Sequence, residues 1–186
     1  MVTFLELTAL CGNYVNFGVF ELYGDRALAD ALDISLKMTL SVPLSDMLAF
    51  RKCASAIDSL AAFYFNNVIA GDGPPSPASV NLTRHIGEFP NLFPQMLKTL
   101  FEIILFEDAG NQWSLSRPIL SLIMTSEQMF GDLRVHILAS QPVDQQQRLS
   151  QCFDKLMADV NRNLEPKNRD RFTQNLTAFR HDFRPK

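Results

Sequence analysis

The sequence has few cysteines, and their spacing does not indicate a disulfide framework or a cysteine-based metal site. Cys11, Cys53 and Cys152 are the three cysteines in 186 residues, and no two of them form a CxxC pair. Such a set is typical of a reducing compartment, where each cysteine packs as a small apolar side chain. We therefore expect an intracellular protein.

Long hydrophobic runs and alternating segments are also missing. No run of about 18 uncharged apolar residues occurs, so we expect no membrane insertion. The first six residues lack the basic segment that begins a signal peptide. No stretch alternates apolar and polar residues over a useful length, so strands are not expected. These absences predict a soluble all-α protein.

Motifs of catalysis and cofactor binding are absent as well. The sequence contains no phosphate-binding GxxxxGK[ST] or GxGxxG loop, no GxSxG elbow and no HExxH pair. His85, His136 and His181 are far from one another and from any cysteine at ligand spacing. We therefore predict that the chain is not an enzyme, with no catalytic residue, no cofactor-binding residue and no metal ligand.

Two features leave an alternative open. The adjacent Glu107 and Asp108 could form an acid/base pair or a cation site, but a solvated helix end is the favoured interpretation. His136, between Val135 and Ile137, could act in catalysis, but its supporting partners are not evident, which favours a histidine on the side of a helix.

Helical periodicity extends along nearly the whole sequence. Leu28, Leu32, Leu36 and Leu40 recur four apart, and a second helix is expected from Ser45–Asp46 to Val68 after Pro43. Further apolar stripes follow at spacings of three and four, namely Phe93–Leu105, Trp113–Met124, Met129–Leu138, Leu149–Leu164 and Phe172–Phe183. Helices joined by short turns form antiparallel pairs, so a closed bundle and an open α-solenoid are both possible, and the pattern favours the solenoid.

Prolines and glycines interrupt this pattern once. Residues 71–80 contain three prolines and two glycines, and we expect a linker or exposed loop there, with helices resuming near Leu92. The predicted organisation is therefore a helical segment over 1–70, a Pro/Gly-rich linker over 71–90 and a second helical segment over 91–186.

Charge is distributed unevenly. The net charge is -3, but residues 162–186 hold seven basic and three acidic residues, so the rest of the chain is acidic. An acidic body argues against nucleic-acid binding and is compatible with protein partners. Five cations of the last helix are candidates for contact with an acidic partner or a phosphate: Lys167, Arg169, Arg171, Arg180 and Arg184. The alternative, which is favoured, is the solvated face of an end-capping helix.

Several longer stretches together resemble the C-terminal end of the exportin-7 family, nuclear transport receptors of the importin-β superfamily. In order, they are Leu7–Phe20, Leu22–Asp25, Phe106–Asp108, Asn111–Ser114, Ser116–Pro118, Ser140–Pro142 and Lys167–Leu176. The resemblance covers about 1–69 and 85–186, and the ending His181–Arg184 is most similar to plant members of the family. It implies antiparallel helix pairs of a HEAT/ARM-type α-solenoid.

The resemblance also implies a function. It implies Ran-GTP-dependent nuclear export of folded protein cargo, contact with nucleoporins, and shuttling between nucleus and cytoplasm through the nuclear pore. A helical-repeat protein-binding scaffold without transport activity of its own is the alternative.

Two departures from the family pattern carry consequences. The family is several times longer, and its main Ran-binding surface lies in N-terminal repeats that this sequence does not contain. Family members also carry additional helices between the regions matching Val68 and Leu92, so the chain resembles a truncated and internally deleted version. Because residues 1–23 begin within a repeat, we predict that Phe4, Leu5 and Leu7 form an exposed apolar patch.

Overall fold

The structure, a computed structural model, describes Asp30, Ile34 and residues 51–75, 77–106 and 112–183. Within these ranges there are seven α-helices and no strand, which confirms the predicted all-α class. The helices are α1 (Arg51–Tyr64), α2 (Pro77–Glu88), α3 (Leu92–Phe106), α4 (Gln112–Thr125), α5 (Glu127–Ala139), α6 (Val143–Leu156) and α7 (Pro166–Phe183). The predicted apolar patch over 1–23 and the Glu107–Asp108 pair lie outside the described residues.

The chain divides into two compact units, residues 1–93 and 94–186. In the first unit, α1 continues into a π-helical turn, Phe65–Ile69, and α2 packs against both α1 and this turn. Ala54, Ile57 and Ala61 are buried, and their spacing of three and four residues places them on one side of α1. Phe65 of the π-helical turn and Leu82 of α2 are also buried. The Tyr64 and Phe93 rings meet edge to face, with centroids 5.6 Å apart.

The expectation of a non-helical linker over 71–90 is wrong for most of that range, because Pro77–Glu88 is the helix α2. Pro77 is its first residue, a position where the missing N–H has no intrahelical acceptor and the restricted φ angle already suits a helix. A proline that ends one helix can therefore begin the next. The division into 1–70, 71–90 and 91–186 otherwise stays a prediction.

In the second unit, four helices contact one another in a ring. Each of α4, α5 and α6 packs against the next helix in the chain, and α7 packs against both α6 and α4. The connections α4–α5 and α5–α6 take one and three residues, and helices that are consecutive in the sequence pack against each other. Every described side chain of α4 from Leu115 to Thr125 is buried except that of Arg117.

Helix ends follow local chemistry. The Ser126 hydroxyl accepts a hydrogen bond from the backbone N–H of Met129, so Ser126 is the N-cap of α5. The expected stripe through Leu164 is wrong at its end, because α6 stops at Leu156. Asp159 has a φ of 57°, a left-handed conformation that ends a helix.

Phenylalanines from four helices meet at the centre of the second unit. Phe153 of α6 lies 4.9 Å from Phe179, 6.0 Å from Phe130 and 6.3 Å from Phe101, measured between ring centroids. Most of these pairs are tilted or edge to face, the arrangement that the ring quadrupole favours. The high phenylalanine content of the chain thus serves helix packing here.

Arg134 connects α5 to α6 at the edge of this aromatic core. Its guanidinium donates to a carboxylate oxygen of Asp154 at 2.7 Å and to both the backbone carbonyl and the hydroxyl of Ser150. The same group lies 6.0 Å from the centre of the Phe153 ring, within the range of a cation–π contact. The guanidinium of Arg134 therefore donates to three acceptor oxygens and also contacts an aromatic ring.

Replacing Arg134 with lysine should lower the free energy of unfolding by about 1–2 kcal/mol, because an ammonium group cannot reproduce the planar fork of donors. Arg162→Lys is the matched control: its guanidinium binds Glu127 at 3.1 Å in an exposed pair, where the loss should stay below about 1 kcal/mol. Urea unfolding of both variants gives the comparison, and equal losses would refute a special role for Arg134.

Candidate protein-binding surface

The last helix, α7, carries the five cations that the sequence singled out. Its buried side is set by Phe172, Leu176 and Phe179, which recur at four and three residues and pack into the second unit. The Thr173 hydroxyl is also buried and lies 2.8 Å from the Ser116 hydroxyl of α4. The Thr173 hydroxyl also contacts the carbonyl of Arg169 at 2.8 Å, and the hydrogen bond between the Ser116 and Thr173 hydroxyls joins α7 to α4.

The structure brings only two of the five cations together on an open face. Lys167 and Arg171 are exposed and one turn apart, so their side chains are neighbours on the outer side of α7. Arg169 and Arg180 are half-buried, and three full turns separate them along another edge of the helix. Arg184 lies outside the described residues. A role for all five in partner binding stays a prediction.

Arg169 is engaged within the fold. Its Nε donates to the carbonyl of Leu164 at 3.0 Å, and its backbone N–H donates to the carbonyl of Glu165. These contacts attach the start of α7 to the connection that precedes it. Arg169 is therefore a structural cation, whereas Lys167 and Arg171 are open to a partner.

Lys167 lies in the first turn of α7, where a cation is least favourable, and Arg171 lies one turn further along the helix. The N-terminus of a helix carries a partial positive charge, and the first turn of α7 holds no acidic residue to balance it. An acidic group from a partner would be attracted by both side chains and by the helix end. This outer surface, defined by Lys167 and Arg171, is the candidate for protein contact.

The connection before α7 is held by a residue that the sequence did not single out. Asn168 is 5% exposed, and its amide spans the turn: its oxygen accepts from the N–H of Asn161, and its nitrogen donates to the carbonyls of Asn161 and Asn163 at 2.7 Å each. Asn175 similarly donates to the carbonyls of Leu156 and Ala158, which are free at the end of α6. The only sequence signal was the asparagine content of Lys167–Leu176.

The histidines and the cysteine that were considered as possible reactive groups do not form a cluster within the described residues. His136 is exposed on α5, His181 is exposed on α7, and His85 is buried on α2 beside Glu88, 3.5 Å from its carboxylate. Burial, reinforced by Asp182, raises the pKa of the Cys152 thiol, so its thiolate is disfavoured. The described residues include no group of three or more His, Cys, Asp or Glu that could hold a metal ion.

None of the helices described is long and apolar enough to cross a membrane.

No protein-family profile and no solved structure matches the chain. Individual relatives do match it. Exportin-7-B of Xenopus laevis is 38% identical over 94% of this chain and 21% of its own length. Ran-binding protein 17 of Homo sapiens is 35% identical over the same shares, and Ran-binding protein 16 of Drosophila melanogaster is 31% identical over 97% of this chain and 22% of its own length.

The chain is homologous to a part of exportin-7 and of Ran-binding proteins 16 and 17. It spans about a fifth of the length of the relatives it matches. The alignment with Exportin-7-B extends over 227 residues, more than the 186 that this chain contains, so that relative carries residues without a counterpart here. This agrees with the predicted internal deletion, while the position of the matched fifth at the C-terminal end stays a prediction.

Proposed function

We propose that the chain is a segment of a nuclear transport receptor that takes part in Ran-GTP-dependent nuclear export of protein cargo. The observation that carries this proposal is the identity of 31–38% to exportin-7 and Ran-binding proteins over nearly the whole chain. The all-α architecture, with helices packed in consecutive pairs, supports it, because helical-repeat receptors bind through extended helix faces. The partners are protein cargo, Ran and nucleoporins, and we propose no catalytic step.

Shuttling between nucleus and cytoplasm follows from this proposal. The chain, fused to an inert fluorescent carrier too large to diffuse through nuclear pores and loaded into nuclei of permeabilised cells, should leave them when Ran and GTP are supplied and stay when Ran is supplied with GDP. Exit that is independent of Ran and GTP would instead support the alternative, a helical-repeat scaffold that binds proteins without transport activity of its own. Retention under both conditions would contradict export by this chain.

Lys167 and Arg171 are the residues that we propose contact an acidic segment of a protein partner. Arg169, Arg180 and Arg184 were predicted with them, but Arg169 is engaged with the preceding connection. Two exposed cations one turn apart at a helix N-terminus form a positive surface that can approach a carboxylate without strain in the core.

Reversing both charges, Lys167→Glu with Arg171→Glu, should lower the affinity for an acidic partner by at least about tenfold while leaving the unfolding midpoint nearly unchanged. The matched control is Lys98→Glu with Arg117→Glu, since both cations are exposed on the same unit and lie far from α7 in sequence. Isothermal titration against a synthetic acidic peptide at two salt concentrations measures the effect. Equal affinity of the two double variants would refute the assignment.

A further inference from the structure

The loop that follows the π-helical turn contains two neighbouring residues whose groups can react with each other. Asp72 and Gly73 form the single Asp-Gly pair of the sequence, which has no Asn-Gly pair. Residues 71–75 are non-helical and exposed, and residues 72–75 make no backbone hydrogen bond to another described residue. The side-chain carboxyl group of Asp72 and the backbone nitrogen of Gly73 are therefore adjacent and open to water.

Gly73 leaves its backbone nitrogen unshielded. A Cβ at this position would meet no described atom within 4 Å apart from its chain neighbours. Glycine has no side chain that hinders the approach of the Asp72 carboxyl group, and it restricts backbone rotation least. The nitrogen can therefore approach the carboxyl group without displacing packed side chains. Because the φ angle of Gly73 lies outside the left-handed range, alanine would also be accommodated there.

Asp58 provides a comparison within the same unit. It is also followed by a small residue, Ser59, but both lie inside α1 and are half-buried. An interior N–H of an α-helix donates to the carbonyl four residues earlier, so the helix holds the backbone nitrogen of Ser59 in place. Asp72 therefore differs from Asp58 in the freedom of the backbone that follows it.

We propose that Asp72 is a modification site at which aspartate isomerises spontaneously to isoaspartate. In the first step, the backbone nitrogen of Gly73 attacks the carbon of the protonated Asp72 carboxyl group. A C–N bond forms, the bond from this carbon to its hydroxyl breaks, and the hydroxyl leaves as water with the proton of the nitrogen. The product is a succinimide ring, whose closure is favoured because both groups belong to neighbouring residues.

In the second step, water adds to one of the two carbonyl carbons bonded to the ring nitrogen. Addition at the side-chain carbon breaks the new C–N bond and restores aspartate. Addition at the main-chain carbon breaks the original peptide bond and gives isoaspartate, in which the main chain passes through the side chain of Asp72 and a carboxylate remains on its Cα. The water lost in the first step is regained in the second, so the reaction needs no oxidant, reductant or enzyme.

The structural change should remain within the loop. Isoaspartate lengthens the main chain by one carbon atom, and the preceding exit from the π-helical turn is tight, since a Cβ at Gly71 would lie 3.0 Å from the carbonyl oxygens of Asn66 and Asn67. On the other side, α2 packs against both α1 and this turn. Residues 72–75 should therefore take up the added length, and circular dichroism should stay unchanged. This inference does not depend on Ran or on export.

The test is ageing of the full chain at physiological temperature and pH. Trypsin then releases residues 53–84 as one peptide, which contains both Asp58 and Asp72. Protein isoaspartyl methyltransferase with labelled S-adenosylmethionine measures isoaspartate in this peptide, because the enzyme methylates isoaspartate and not aspartate, and electron-transfer mass spectrometry locates it. We expect isoaspartate to accumulate at residue 72 at least about tenfold faster than at residue 58.

Variants connect the reaction to the two groups. Gly73→Ala places a methyl group beside the attacking nitrogen and should slow isomerisation at least about tenfold, whereas Asp72→Glu, which would need a larger ring, should abolish it. Gly87→Ala is the control, since a Cβ there would also meet no described atom within 4 Å, and it should isomerise as the parent does. The proposal is overturned if the aged parent holds no isoaspartate at residue 72, if Asp58 isomerises as fast as Asp72, or if Gly73→Ala isomerises as fast as the parent.

Discussion

Replacing Phe153 with alanine should lower the free energy of unfolding by about 3–5 kcal/mol, the range for a large aromatic side chain lost from a packed core. Phe153 is 1% exposed and contacts the rings of Phe101, Phe130 and Phe179, which belong to three other helices. It also lies beneath the guanidinium of Arg134. One truncation therefore opens a cavity that borders α3, α5, α6 and α7 at once.

The size of the loss should depend on how much volume is removed. Phe153→Leu keeps most of that volume and should cost roughly 1–1.5 kcal/mol, since shape-conserving apolar exchanges are tolerated best. Val143→Ala, at a side chain that is 84% exposed, should change stability by less than about 0.5 kcal/mol. Urea unfolding followed by the fluorescence of the single tryptophan reports on the same unit. Similar midpoints for Phe153→Ala and Val143→Ala would show that the aromatic cluster is not the core.

Replacing Asn168 with leucine should lower the free energy of unfolding by about 2–4 kcal/mol. The side chain is buried and makes three hydrogen bonds to the backbone of residues 161 and 163. Leucine matches the volume but supplies neither donor nor acceptor, so three backbone groups at a partly buried site lose their partner. The connection between α6 and α7 should then move away from α7.

Two controls separate the amide from its position in the helix. Gln174→Leu changes an exposed amide of α7 and should be nearly neutral. Asn168→Asp keeps the shape and the acceptor but removes the two donors. It should therefore lower the free energy of unfolding by at least half as much as Asn168→Leu does. Amide hydrogen exchange at Asn161 should accelerate in Asn168→Leu and change much less in Asn168→Asp, which keeps the acceptor of this N–H. Unchanged exchange at Asn161 in Asn168→Leu would contradict the assigned hydrogen bond.

Much of the fold could be predicted because the local signals were strong. Ser126 before Glu127 begins a helix since its hydroxyl can bind the free N–H of Met129, and this depends only on neighbouring residues. The spacing of Phe172, Leu176 and Phe179 similarly identified the buried side of α7. Such features need no knowledge of distant contacts.

The wrong predictions, the linker over 71–90 and the end of α6, arose where the same residue pattern occurs in two kinds of local structure. Pro77 lies in a proline-rich stretch that predicts a loop, yet a proline in the first helical position begins α2. The apolar spacing of α6 continues through Leu164, but the helix itself ends at Leu156. Beyond this end, Asp159 adopts a left-handed conformation, and the side chain of Asn175 in α7 donates to the carbonyl of Ala158. That arrangement depends on contacts between segments, which periodicity alone does not contain.

The candidate binding surface could be predicted only in part. Composition identified the basic character of the last helix, but not which cations are open to solvent. Arg169 is engaged with Leu164 because the preceding connection folds back onto α7, whereas Lys167 and Arg171 extend outward. The sequence predicts on which side of a helix a charged residue lies. It does not predict whether that side chain is already hydrogen-bonded to the protein's own backbone.

Equilibrium binding of the purified chain to Ran loaded with GTP or with GDP tests the account most directly. Although the family's main Ran-binding surface lies in repeats that this sequence does not contain, the proposed function predicts that the chain, as part of an export receptor, still binds GTP-bound Ran at least about tenfold more tightly than GDP-bound Ran. Equal affinity for the two forms, or no binding to either, would contradict a role of this chain in Ran-GTP-dependent export.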